Sequence, residues 1–143
     1  MPASLFEHVL VPVASPEDAA ATIRATRPYL EAIRSNVTVI NVVEKAGGAP
    51  DKASVEQRED YAEEMFNVAR SQMEGSDITL TTEVRYGTDV AETIIETAHE
   101  IGASAIVFTP RDGSRWVRLL TGDVALSLVS DSDLPVITLP DHD

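Results

Sequence analysis

The residues whose types and spacing could do chemistry lie between Ala105 and Leu139. An apolar run is followed by a loop carrying Arg111, Arg115 and Arg118, a Gly122-Asp123 step into a helical pattern, and a closing apolar run. That order outlines a phosphate-binding turn, where glycine amides approach an anion closely and a hydroxyl at a helix N-terminus donates to it. Asp112 and Asp123 conflict with the outline. An ionised carboxylate only accepts hydrogen bonds, and it repels phosphate by about 1 kcal/mol per charge pair at 4 Å in water. Asp123 suits another task, capping the helix that starts there and satisfying the amides a phosphate would use. The three arginines pull the other way, since guanidinium forks could hold an anion or simply neutralise the two aspartates. Gly113 could shift the loop by one residue and recover a close amide approach.

Other chemistries find little support. His8, His99 and His142 are far apart and lack the paired spacing of a zinc protease site. The chain ends in Asp141-His142-Asp143, a pattern that could meet a stray divalent ion but reads as a frayed end. Ser114, Ser127 and Ser130 sit in no G-x-S-x-G elbow and have no histidine partner, which removes acyl transfer. With no cysteine there are no disulfides, thiolate metal sites or thiol nucleophiles. The residues form no catalytic or metal-binding constellation. Trp116, the only tryptophan, could stack on a base, though covering apolar surface is the plainer role.

The elements that must position the loop are legible from periodicity. Runs His8–Val13, Val37–Val43, Ser104–Phe108 and Val136–Leu139 are continuous and apolar, as buried strands are. Ile78–Val84 alternates apolar and polar residues, which predicts a strand with one wetter face near a sheet edge. Between the strands, Ala19, Ile23, Thr26, Leu30 and Ile33 step at helical spacing. So do Ala62, Met65, Ala69 and Met73, then Val90, Ile94, Ala98 and Ile101, and finally Val124, Leu128 and Val129. Ser15-Pro16-Glu17-Asp18 supplies a capping serine, a first-turn proline and acids for the helix dipole, and Gly87-Thr88-Asp89 opens the third helix. The segment Glu44–Ser54, with Gly47-Gly48 and Pro50, predicts a mobile loop. Strict alternation implies right-handed crossovers and an α/β, doubly wound parallel sheet of five strands with helices on both faces. Ligands of such sheets sit beyond the carboxyl ends of the strands, where strand order reverses.

At 143 residues and 43% apolar content the chain predicts a single domain, 1–143. No apolar run is long enough to span a bilayer and no signal peptide is evident, so a cytoplasmic protein with no membrane role is expected. Net charge is −13, and the cations are nine arginines with only Lys45 and Lys52. Such a surface repels nucleic acid and suits a halophilic, salt-rich cytoplasm.

Several segments in order carry a resemblance. They are Val9-Leu10-Val11-Pro12-Val13 followed by Ser15, Asn41-Val42-Val43-Glu44, Val84-Arg85-Tyr86-Gly87, Gly102-Ala103-Ser104-Ala105-Ile106-Val107, and Leu119-Leu120-Thr121-Gly122 with Leu134-Pro135-Val136-Ile137. Together they resemble a universal stress protein domain over nearly the whole chain. The resemblance implies a Rossmann-like sheet in the order 3-2-1-4-5. It also places the nucleotide-binding positions at Pro12, Ala14, Val42, Thr109, Arg111, Asp112, Gly122, Asp123 and Val124. Members that bind ATP carry an aspartate after the first strand and a glycine-rich loop ending in a glycine and a hydroxyl residue. Of those positions, here Ala14, Thr109, Asp112, Gly122 and Asp123, only Gly122 keeps the pattern. The expectation is a dimeric, non-catalytic regulatory or protective module with a degraded ATP site and no required cofactor. An ATP- or AMP-binding sensor using the arginine loop is the first alternative, and a domain regulating a transporter or kinase by protein contact is the second.

The last strand is apolar and short between Pro135 and Pro140, so Val136, Ile137, Thr138 and Leu139 present an edge. A second copy could pair with it across a two-fold axis to form a homodimer.

The charge balance yields a test. Screening length falls to about 3 Å in 1 M salt, so carboxylate repulsion should fade and the melting temperature should rise from low to molar KCl. A melting temperature flat over that range contradicts the salt adaptation.

Overall fold

The period of two along the buried strands decides how the helices distribute. The computed structural model describes residues 5–31, 35–44, 52–109 and 122–140. Its elements are β1 (His8–Pro12), α1 (Pro16–Glu31), β2 (Asn36–Glu44), α2 (Lys52–Gln72), β3 (Thr79–Gly87), α3 (Val90–Ile101), β4 (Ala105–Phe108), α4 (Gly122–Asp131) and β5 (Val136–Thr138). All strand pairs are parallel, in the order β3-β2-β1-β4-β5. The sheet is therefore the doubly wound one implied by the alternation of elements and by the resemblance.

Val9, Val11, Val37, Val39, Ala105 and Val107 pack with Ile23 and Leu30 of α1 and Met65 and Phe66 of α2. Leu10, Ile40, Ile106 and Phe108 point to the opposite face and pack with Ile94 and Ala98 of α3 and Leu128 of α4. Each fully buried aliphatic side chain contributes about 1.5–3 kcal/mol, so two cores sharing one sheet carry the fold. Ala62, Met65, Ala69 and Met73 are all buried, as their spacing predicts.

Four expectations need correction. Val129 is 59% exposed, because α4 turns only Leu128 fully inward and has solvent on its far side. Glu44 ends β2 and α2 begins at Lys52, so the loop expected over Glu44–Ser54 is shorter, with 45–51 outside the described residues. The final strand stops at Thr138, although Leu139 N–H still donates to the Phe108 carbonyl at 3.1 Å. Asp123 lies inside the first turn of α4, which starts at Gly122, and so is not its cap; an acid there still complements the helix dipole. α1 also runs through Pro28, the burial of Ala19, Ile23 and Leu30 together outweighing a proline cost of about 3 kcal/mol.

β3 occupies the edge that its alternation predicts, and charged side chains from both flanking helices hold it. Arg70 donates to Thr82 Oγ1 at 3.2 Å from α2, and Tyr86 donates to Glu59 Oε2 at 2.8 Å. On the α3 side, Arg85 is bound between Glu100 and Glu83. The Glu100 carboxylate, followed by Glu83, raises the Arg85 pKa and keeps it charged, and the bond to Glu59 raises that of the Tyr86 phenol.

β3 ends on a close contact. A Cβ added to Gly87 would lie 2.0 Å from Thr93 Oγ1 and 3.2 Å from Thr93 Cβ. The threonine cannot turn away freely, since its hydroxyl donates to the Asp89 carbonyl at 2.8 Å. Gly87→Ala should therefore destabilise by about 1–3 kcal/mol, the usual cost of overpacking. Urea denaturation checks this, with a lower midpoint and an unchanged slope expected.

Candidate functional site

Strand order reverses between β1 and β4, so the crevice expected of this architecture opens above the carboxyl ends of β1, β2 and β4. Pro12 is the last residue of β1, buried and opposite Ile40. Ala14 follows in the turn to α1, half-buried. Val42 lies in the terminal part of β2 opposite Arg85, and Thr109 follows the last residue of β4. These four predicted positions come together at one end of the sheet. Gly122 and Asp123 open α4, and the Asp123 side chain lies outside the described residues. Val124 packs partly against the α3/α4 core. Arg111 and Asp112, with Arg115, Trp116 and Arg118, also lie outside the described residues, so the loop on which the phosphate question turns is known by sequence alone.

A cleft of about 370 Å³ opens at this end of the sheet, lined by Ala14, Asn41, Val42, Val43, Glu44, Arg58, Tyr61 and Met65. Its floor is built by Asn41. This side chain is 9% exposed and donates from Nδ2 to the Val13 carbonyl at 2.9 Å, tying β2 to the exit of β1. Each residue of a parallel strand directs both its N–H and its C=O to the same neighbour, alternating along the chain. Ile40 faces β1, since its carbonyl accepts from Val13 N–H at 2.9 Å. Val42 therefore directs its N–H and C=O to that same side, beyond the last paired residue of β1. Together they form a donor and acceptor in the plane of the sheet, facing the space above the end of β1. At the rim, Arg58 donates to the Glu44 carbonyl at 3.3 Å.

The turn between β1 and α1 is closed from inside the protein. Ser15 caps α1, its Oγ accepting from Asp18 N–H at 3.0 Å. The Asp18 carboxylate, only 1% exposed, turns back and accepts from Ala14 N–H at 2.9 Å and from the Thr22 hydroxyl at 3.1 Å. Sequence reasoning takes Asp18 only as a favourable charge for the helix dipole. The signal for more is the serine three residues before it, the spacing of a reciprocal cap. Asn41 had a signal too, as a lone amide in an apolar strand that must find a partner. Arg58, Tyr61 and Met65 had none beyond helical spacing, because only the packing of α2 on β2 brings them to the cleft.

Thr109 stands where the family pattern has glycine. It is 2% exposed, and its hydroxyl has no hydrogen-bond partner among the described residues. A second, polar cleft of about 280 Å³ runs along α3 past Glu92, Glu96 and Glu100, with Arg85 as its cation. Among the described residues no group of histidines and carboxylates could hold a metal ion, and no described helix is long and apolar enough to cross a membrane.

This fold and crevice define a nucleotide-binding-type α/β protein. The universal stress protein family matches residues 5–140, and the chain belongs to that family. Among curated proteins, the stress response protein NhaX of Bacillus subtilis is 37% identical over 79 residues. That stretch is 55% of this chain and 47% of NhaX, so the match spans about half of the relative's length. Two solved structures share the fold. A universal stress family protein from Burkholderia pseudomallei is 23% identical at a TM-score of 0.73, covering 97% of this chain and 99% of that one. The universal stress protein of Archaeoglobus fulgidus, solved in complex with dAMP, is 17% identical at a TM-score of 0.70, covering 95% and 99%.

Proposed function

We propose that this protein is a dimeric, non-catalytic regulatory or protective module of the universal stress type, whose nucleotide site is reduced to its base-holding half. The observation that carries this reading is the Asp18 carboxylate on the Ala14 amide. Where ATP-binding members place an acid facing the ligand, this chain has a methyl group, and its nearest buried acid is spent on the protein's own backbone. The base-holding half fits a nucleobase, with Val42 supplying a backbone donor and acceptor and Met65 and Val43 supplying apolar walls. The phosphate half does not fit, because the sequence sets Asp112 and Asp123 at the family's phosphate-binding positions. The Archaeoglobus relative was solved in complex with dAMP, which supports a nucleotide-type ligand for this fold. An ATP or AMP sensor using Arg111, Arg115 and Arg118 is the competing reading. Titration calorimetry with Mg-ATP in high salt should show no saturation below about 1 mM. A micromolar dissociation constant sinks the degraded-site reading in favour of the sensor.

The dimer rests on the β5 edge. Pro135 and Leu139 exchange backbone bonds with β4, through Ile106 N–H to the Pro135 carbonyl at 2.9 Å and Leu139 N–H to Phe108. By the same alternation, Val136 and Thr138 direct their N–H and C=O outward from the sheet. Val136 and Ile137 already pack against the protomer's own two cores and Leu139 belongs to one of them, so the seam uses backbone more than side chains. Leu126 and Val129 on the neighbouring α4 are 65% and 59% exposed and supply apolar cover for a second copy. Thr138→Pro deletes an outward N–H without touching the bonds to β4. Light scattering at tens of micromolar should find a dimer for the parent and a monomer for this variant; a parent that is already monomeric, or a variant still dimeric, places the seam elsewhere.

A further inference from the structure

One backbone donor and one acceptor do not choose between bases. The Val42 N–H and C=O can pair with the ring nitrogen and amino group of adenine, and equally with the oxo group and ring N–H of hypoxanthine. Any choice has to come from a side chain. Ala14, Val42, Val43 and Met65 bring only apolar side chains to the cleft, and Glu44, Arg58 and Tyr61 are exposed. Asn41 is the buried polar side chain of the lining.

The Asn41 amide has its orientation fixed by chemistry. The Val13 carbonyl can only accept, so the atom that meets it at 2.9 Å is Nδ2. That bond turns the donor end toward the exit of β1. Oδ1, on the other branch of the amide, has no partner among the described residues. The period of two puts Asn41 on the face of Val37 and Val39, under α1 and α2, and its bond to Val13 lies on the β1 side of β2. Val42 directs its N–H and C=O to that same side. A side-chain acceptor, a backbone acceptor and a backbone donor therefore come from adjacent residues and face one space. Resting on the reading that the cleft holds a nucleobase, we propose that Asn41 determines which base it takes: Oδ1 accepts from an exocyclic amino group, so the cleft prefers a base of the adenine type over an oxopurine of the same size. The amino group has two hydrogens, one for the Val42 carbonyl and one for Asn41. An oxo group in its place sets lone pair against lone pair.

Titration of the full, ¹⁵N-labelled chain with adenosine and with inosine tests this by NMR. The two ligands differ only in the base, so everything the sugar meets cancels in the ratio of their affinities. Adenosine should bind at least about fivefold more tightly, the scale of one net hydrogen bond, and should move the side-chain amide resonances of Asn41 more than those of the exposed Asn36 and Asn67. Equal affinity, or tighter binding of inosine, overturns the role of Asn41 and leaves the base-holding reading standing. Saturation by neither nucleoside at its solubility limit overturns both. Asn41→Ala should weaken adenosine and bring the ratio close to one, an effect that a purely structural role in tying β2 to β1 would not produce. A ratio that the folded variant leaves unchanged overturns the assignment. If Asn41→Ala fails to fold, the parent protein decides, since Asn41 amide resonances unmoved by saturating adenosine overturn it equally.

Discussion

The constraint on which the rest of this structure depends is the period of two along a parallel strand, because it governs side chains and backbone polar groups at once. For side chains it divides the apolar residues of β1, β2 and β4 between two cores. Val9 and Val11 go to the α1/α2 side and Leu10 to the α3/α4 side, so both faces need a pair of helices. For the backbone it decides which N–H and C=O groups have no strand beside them. Val42 past the end of β1, and Val136 and Thr138 on the outer edge, follow from the same parity that buries the valines. One geometrical rule therefore produces the core, the cleft and the open edge.

Electrostatics separates this chain's site from a generic nucleotide crevice. A carboxylate buried to 1% exposure is tolerated when hydrogen bonds satisfy it, and Asp18 has the Ala14 amide and the Thr22 hydroxyl. The arrangement stabilises the start of α1 and occupies that region's capacity for an anion. In the sequence, three of the nine arginines, Arg111, Arg115 and Arg118, fall between β4 and α4. The same stretch of sequence also carries Asp112.

The two sheet edges are managed differently. β3 is nine residues long and is dressed with Arg70, Glu83, Arg85 and Tyr86, each held by a partner on a flanking helix or its own strand. Such an edge resists pairing with another chain, since charges and ordered polar groups line it. β5 is three residues long and bounded by prolines, with apolar residues on both faces and no charge of its own. Its shortness limits unspecific pairing.

The order of elements, the parallel sheet, the edge position of β3, the caps at Ser15 and Asp89 and the loss of the family's phosphate pattern were all legible in the sequence. They depend on local periodicity and on residue type at fixed offsets, which the chain carries explicitly. Helix ends and exposed faces were read less well. Val129 and Asp123 show why: apolar spacing does not say which side of α4 meets the sheet, and one residue of shift turns a cap into a first-turn acid. Tertiary structure alone decided that Arg58, Tyr61 and Met65 reach the cleft, that Asn41 bonds to Val13, and that the Thr109 hydroxyl is buried without a partner among the described residues. Those facts depend on contacts between elements distant in sequence. They are fixed only when the helices dock and water leaves the space between them.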